Sequence, residues 1–289
     1  MMQQKNKIIF PVFWVILLVM TVIVGFAQGK KAEETVLINT QAQAADLMGL
    51  YEPGETDLND SEEGAVTLSE EDLLSGGALS EGAYILSGDY HNTIEVDAGD
   101  RIVHLILDNA DIRTNEGPAV LVRSAAKLVI TAKEGTQNVL ADCAFYTEKN
   151  VNAAVFSYSD VTINGTGELQ ITGFLKDAVN TKGVFKGLDT ILRIKAKRNA
   201  INADDGMLLK LSGMTAEAEK DGLKTGIHKR ISKGNIYILS GENRIIAGNT
   251  AILSGRDLFA SSCSLSINAV VNGIETGGGS YIDEGVLTQ

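Results

Sequence analysis

Short segments of one pattern recur along the second half of this chain. Asp177-Ala178-Val179, Asn199-Ala200-Ile201 and Asp221-Gly222-Leu223 begin 22 residues apart, as do Thr250-Ala251-Ile252 and Asn272-Gly273-Ile274. Upstream copies are Pro118-Ala119-Val120 and Ala153-Ala154-Val155, so the intervals run 35, 24, 22, 22, 29 and 22. A fixed period with occasional insertions is the signature of a solenoid, in which each unit buries its apolar side only against its neighbours. Around these segments lie short β-branched runs such as Val161-Thr162-Ile163, Ile191-Leu192-Arg193-Ile194 and Ile236-Tyr237-Ile238. Apolar and polar positions alternate over four to six residues, with Gly or Asn clusters between the runs. That is strand periodicity without a helical pattern of useful length.

A coil of about 22 residues with three short strands fits a parallel β-helix, its coils stacked about 4.8 Å apart. The expectation is an all-β domain over 76–289. One column would hold Ala178, Ala200 and Gly222, and the next Val179, Ile201 and Leu223. Three prolines and thirty glycines in 289 residues suit tight corners and unbroken ladders. Aromatic residues make up only 6%, so the core is expected to be aliphatic. Earlier strands are expected at Tyr84–Leu86, Thr93–Val96, Val103–Leu107, Leu121–Val122 and Leu128–Thr131. The residues from Gly277-Gly278-Gly279-Ser280 onward read as a frayed tail or as an edge for a partner.

Two segments precede the repeats. Residues 1–27 carry Lys5 and Lys7 before an apolar run from Ile8 to Ala27. A run of twenty residues, interrupted only by Pro11 and Thr21, is long enough to span a bilayer, yet Gly25-Phe26-Ala27 also suits a signal-peptide cleavage site. Either reading, membrane anchor or cleaved signal, exports the rest of the chain to the cell surface or beyond. The membrane is then a partner only through this segment. Residues 28–75 read as an acidic flexible linker, since Tyr51 to Leu74 holds nine acids and no Lys or Arg. The formal charge of −12 argues against nucleic acid as a partner.

Cys143 and Cys263 are expected to be free thiols, because residues this far apart in a one-dimensional stack lie several coils from each other. His91, His104 and His228 are scattered, so no zinc motif is present.

The run Asn152-Ala153-Ala154-Val155-Phe156-Ser157, continued by Asp160-Val161-Thr162-Ile163-Asn164-Gly165-Thr166-Gly167-Glu168-Leu169, resembles a known pattern. So do Gly135-Thr136-Gln137-Asn138-Val139-Leu140-Ala141-Asp142 and Lys220-Asp221-Gly222-Leu223-Lys224-Thr225. Together they resemble the clostridial carbohydrate-binding right-handed parallel β-helix proteins, over roughly Gly82 to Leu253. The resemblance implies an exported, pectate-lyase-like solenoid that binds cellulose or pectin-type acidic polysaccharide. It also implies calcium along one ladder, held by the acids of a repeated Asp-Gly-Ile-x-x-Lys-Asp motif.

This chain departs from that motif. The copies read Asp177-Ala178-Val179-Asn180-Thr181-Lys182-Gly183, Asn199-Ala200-Ile201-Asn202-Ala203-Asp204-Asp205 and Asp221-Gly222-Leu223-Lys224-Thr225-Gly226-Ile227. The metal candidates implied are therefore Asp177, Asn199, Asp204, Asp205 and Asp221, a thin set for an ion that takes six to eight oxygens. The same residues also suit a metal-free ladder, in which Asn199 separates two acids and hydrogen-bonds to both. The ligand candidates are Arg193, Lys195 and Lys197, which share one strand face by their period of two, with Lys220 and Lys224 one coil on. Glu217 and Glu219 fall one coil from Lys195 and Lys197, so an ion-pair ladder is the alternative for that strip. Pro118, Tyr146, Tyr158 and Phe174 are the candidates for stacking on a sugar ring.

Three functions suit these residues. One is a cell-surface polysaccharide-binding module for acidic or cellulosic glycans. Another is a structural or adhesive surface protein without a sugar ligand. The third is a calcium-dependent polysaccharide lyase, with Lys182, Lys197 or Lys220 as base.

Overall fold

The computed structural model describes residues 48–143 and 145–288. The apolar run of residues 1–27 and the first part of the 28–75 segment lie outside the described residues. The fold is all-β with short helices at Glu55–Leu58 and Glu70–Gly76. The strands form a 15-stranded and an 8-stranded sheet in which the pairings among the described residues are parallel. The chain alternates between them. Glu168–Gly173 belongs to the larger sheet, Asp177–Thr181 to the smaller, and Val184–Leu188 to the larger again.

The register follows the repeat. In the smaller sheet Ile94 pairs with Val120, then Val155, Val179, Ile201, Leu223, Ile252 and Ile274 in turn. The expected column of Val179, Ile201 and Leu223 is therefore present, and all three are fully buried. Beside them Ala178 donates its N–H to Asn199 O, Ala200 to Asp221 O and Gly222 to Thr250 O, as expected of the adjoining small-residue column. Gly222 is required by close packing, because a Cβ there would collide with Ala251 O and Ile245 Cγ2. The larger sheet contributes Leu105, Ile130, Ile163, Leu209 and Ile238 to the same aliphatic core. Stacked β-branched and Leu side chains favour this pleated packing at each 4.8 Å step.

The insertions leave the register intact. The 29-residue interval between Asp221 and Thr250 contains the loop from Gly226 to Gly234, yet Leu223 still pairs with Ile252. The 35-residue interval contains residues 142–152, where Val151 and Tyr146 cover Leu121 and Phe156. The early strands appear near their expected places, as Gly82–Tyr90, Ile94–Asp97, Ile102–Arg113, Val120–Ser124 and Lys127–Ala132. Cys143 and Cys263 are free.

Two expectations are corrected. The described part of the acidic segment is not a solvated spacer. Tyr51 and Asp57 are buried, and Val66–Leu68 pairs with Tyr84–Leu86 as a strand of the larger sheet. From Leu50 on, the chain is one compact unit. The reason lies in the outward face of that sheet, where His104, Val129, Thr162, Lys186, Leu208 and Tyr237 are successive register partners. Five of these six are buried although they point away from the core. The acidic segment covers them and is fastened by ion pairs of Asp57 with Lys127 (2.5 Å) and Lys186 (2.8 Å), and of Glu52 with Lys210 (2.7 Å). Nor is the segment after Gly277 a frayed tail. Ser280–Ile282 pairs with Leu258–Ala260, and Tyr281 stacks on Phe259 at 4.7 Å.

Candidate functional site

The strand segments Glu168–Gly173, Ile191–Ala196, Gly213–Ala218 and Glu242–Ala247 lie side by side in the larger sheet. Alternate residues face outward, and stacked parallel strands bring equivalent positions into rows. Thr172 aligns with Lys195, Lys195 with Glu217, and Glu217 with Ile246. These residues, with Phe174, Lys197 and Glu219 at the adjoining corner, line an open groove of about 500 Å³.

Lys195, Lys197 and Arg193 on this strip each have an acid beside them. Lys195 Nζ lies 3.6 Å from Glu217, Lys197 Nζ 2.7 Å from Glu219, and Arg193 Nε 2.5 Å from Glu168. The ion-pair ladder is thus present, and exposed pairs of this kind add little to stability because solvent screens them. The pairs give the groove alternating hydrogen-bond donors and acceptors with little net charge. Of the five ligand candidates, Lys195 and Lys197 line the groove and Arg193 stands next to it on the same strand face. Lys220 and Lys224 do not; each lies 3.8 Å from Asp221 Oδ2.

Phe174 supplies the exposed ring at the groove's edge. Its N–H donates to Asp142 Oδ1 at 2.5 Å, and Tyr146 O–H donates to Asp142 Oδ2 at 2.6 Å and to Ala153 O at 2.8 Å. Burial pushes the Asp142 carboxyl above its ordinary range, against the hydrogen bonds it accepts. Burial, then the Asp142 carboxylate, drives the Tyr146 hydroxyl far up. This brace fixes the turn that presents Phe174. Tyr146 is therefore a structural residue, and Pro118 is buried. Tyr158 is exposed, edge-on to Phe156 at 5.1 Å. Phe145, also exposed, was not among the sequence candidates and carries no periodic signal. The aromatic row Tyr237, Phe259, Tyr281 was missed as well. Its rings stack at 5.0 and 4.7 Å, and its 22-residue spacing was visible in the sequence.

The metal candidates do not converge. Asp177 accepts Arg198 Nε (2.7 Å) and Asn199 N (3.0 Å) on Oδ1, and Arg198 Nη2 (2.7 Å) and Asn180 Nδ2 (3.0 Å) on Oδ2. Asn199 Oδ1 accepts Asp221 N at 3.4 Å, and Asp221 Oδ1 accepts Asn249 Nδ2 at 2.6 Å and Thr250 N at 3.4 Å. Each first residue of the motif thus ties its own repeat to the next. Asp204 faces Lys182 at 3.2 Å, and Asp205 faces Lys233 at 2.5 Å. Among the described residues, His, Cys, Asp and Glu side chains nowhere gather in threes suited to a metal ion. The donor set does not fit calcium. Asp177 has no lone pair to spare, and the orphaned Asp221 Oδ2 looks onto two lysine ammonium groups.

Residues 78–287 match the family of carbohydrate-binding domain-containing proteins. A "Carbohydrate-binding domain-containing protein" of Acetivibrio thermocellus is 30% identical over 122 residues, which are 40% of this chain and 43% of the relative. The matched part thus spans less than half of that relative. Among solved structures, the gadolinium derivative of the polysaccharide lyase-like protein from C. thermocellum superposes with a TM-score of 0.67. It is 24% identical, over 82% of this chain and 93% of that one, and the likeness concerns the fold.

Proposed function

The chain belongs to the family of carbohydrate-binding domain-containing proteins, and from that premise we propose that the groove between Phe174 and Ile246 is its glycan-binding site. The observation that carries this reading is the conjunction of an exposed, braced aromatic ring with rows of paired donors and acceptors. Sugars present hydroxyls at their edges and C–H groups on their faces. A ring takes the face, and ammonium–carboxylate pairs take the edge. Of the two glycan classes, cellulosic and pectin-like, we favour the uncharged one. Glu168, Glu217 and Glu219 would repel a uronate chain at the positions where Arg193, Lys195 and Lys197 would attract it. The protein's charge of −12 acts in the same sense.

We read the stacked repeats as a right-handed parallel β-helix. Register partners one repeat apart support the stacking, and right-handed crossovers between parallel strands are strongly favoured. We read the protein as a binding module and not a lyase, because Lys182, Lys197 and Lys220 are each engaged in an ion pair with an acid and the acids that would hold the cation do not converge. Export through the apolar run of residues 1–27 completes the proposal. Digestion of intact cells with protease is expected to remove the domain, and its survival would contradict export.

The site is tested by titrating the protein against soluble cello-oligosaccharides and oligogalacturonates. Phe174→Ala is expected to weaken binding about tenfold or more, since burying such a side chain is worth roughly 1.5–3 kcal/mol. Unchanged affinity in this variant would remove the groove from consideration. Tight binding of oligogalacturonate alone would reverse the choice of glycan class.

A further inference from the structure

The four acids among the metal candidates of the repeated motif all have a basic side chain beside them. Asp177 faces Arg198, Asp204 faces Lys182, Asp205 faces Lys233, and Asp221 faces Lys220 and Lys224. Asp177 is wholly inaccessible, and Arg198 grips both its oxygens at 2.7 Å in a bidentate fork. The fork leaves a lone pair on each oxygen, and those accept Asn199 N and Asn180 Nδ2. A metal ion at this point would have to displace a guanidinium that is covalently part of the chain.

We infer that Arg198 is this module's built-in cation, and that the ladder is held together by side-chain cations in place of divalent metal. A buried carboxylate requires a compensating positive charge. A guanidinium supplies it with a fork matched to both oxygens and is always ionised. It also cannot be removed by a chelator or by dilution. The Asp177 and Asn199 side chains remain free to bind the next repeat's backbone N–H, so the acid keeps a mechanical task without any ion. The inference goes beyond glycan binding and does not rest on it.

The test is the thermal stability of the full chain, in calcium chloride and in excess chelator, with no glycan present. Metal bound only by the folded state raises the melting temperature with concentration. No shift between the two conditions is expected here. A rise in calcium, or a fall in chelator, overturns the inference. Arg198→Met is expected to lower the melting temperature by many degrees, and Lys182→Met, at a half-exposed pair, by far less. Equal small effects would show that Arg198 is not the compensating charge. Should Arg198→Met not fold, Arg198→Lys keeps the charge and loses the fork. It is expected to melt lower than the parent and to remain insensitive to calcium, and calcium sensitivity in it would equally overturn the inference.

Discussion

Ile201→Asp is expected to abolish folding. Ile201 is fully buried, with Val179 on one neighbouring strand and Leu223 on the other. An aspartate there finds only aliphatic carbon. It must either carry an unpaired charge into the stack or take up a proton at a cost set by its raised pKa. It also removes a large apolar side chain whose loss alone costs about 2–5 kcal/mol on truncation to Ala. The sum rivals the whole stability of a typical domain, about 5–15 kcal/mol. Asn202→Asp one residue on is the control, because Asn202 faces outward and is only half-buried. Circular dichroism should show the first variant unfolded and the second folded. A native melting curve for Ile201→Asp would mean that the column is not the core.

Removing the acidic segment is expected to be the next largest injury. A chain beginning at residue 50 should fold, whereas one beginning at residue 76 should be insoluble or melt far lower. The shorter chain leaves Leu208, Tyr237 and Val129 without cover and takes the strand Val66–Leu68 off the sheet edge. The single contact that matters most is Asp57. Besides both lysines it accepts Thr162 Oγ1 at 2.5 Å, and Asn164 Nδ2 reaches the carbonyls of Asp57 and Asn59 at 2.9 Å. Asp57→Ala leaves two largely buried ammonium groups without a counter-charge, with only Thr56 Oγ1 and Glu52 O among the described residues still accepting from them, and is expected to cost about 3–5 kcal/mol. Glu52→Ala, at an exposed pair, should cost about 1 kcal/mol or less. Equal losses in the two variants would refute this account of the strap.

The same residue sets a pH response. Burial, the largest influence on Asp57, pushes its pKa up, but hydrogen bonds from Lys127, Lys186, Thr162 and the Gly54 N–H outweigh it. The carboxyl ends well below the usual carboxylate range. A depressed folded-state pKa stabilises fully above the unfolded value of about 3.9 and is lost only as pH falls through the lower, folded one. The strap should therefore stay docked through pH 4, as read by protection of the 52–62 backbone from hydrogen exchange. Release near the ordinary carboxylate pKa would mean that Asp57 is not held by its lysines.

Much of the site was legible in advance, and some was not. Lys195 and Lys197 with Glu217 and Glu219 followed from period two along a strand and period 22 across strands. Both rules are local and repeat at every step of a parallel ladder. The brace of Asp142 and Tyr146 under Phe174 was not legible, because it is built in an insertion that obeys neither period. Arg198 lies 21 residues from Asp177, one short of the repeat. It therefore sits on the turn of the next repeat and bends back to the acid, a contact that the column pattern does not mark.

The sequence by itself determined the all-β character, the parallel register and the membership of the core columns. One pattern of alternating side chains, repeated at a fixed interval, can bury its apolar face in only one way. The tertiary structure alone decided which acids are solvent-facing and which are buried. Asp57 is one of nine acids in a stretch whose composition resembles a spacer. Its lysine partners stand 70 and 129 residues away on the outside of the sheet. The two lysines lie on different strands, and only stacking of the repeats brings them to one carboxylate. Charge composition carries no information about which charges meet, since that depends on distances through space that folding alone creates.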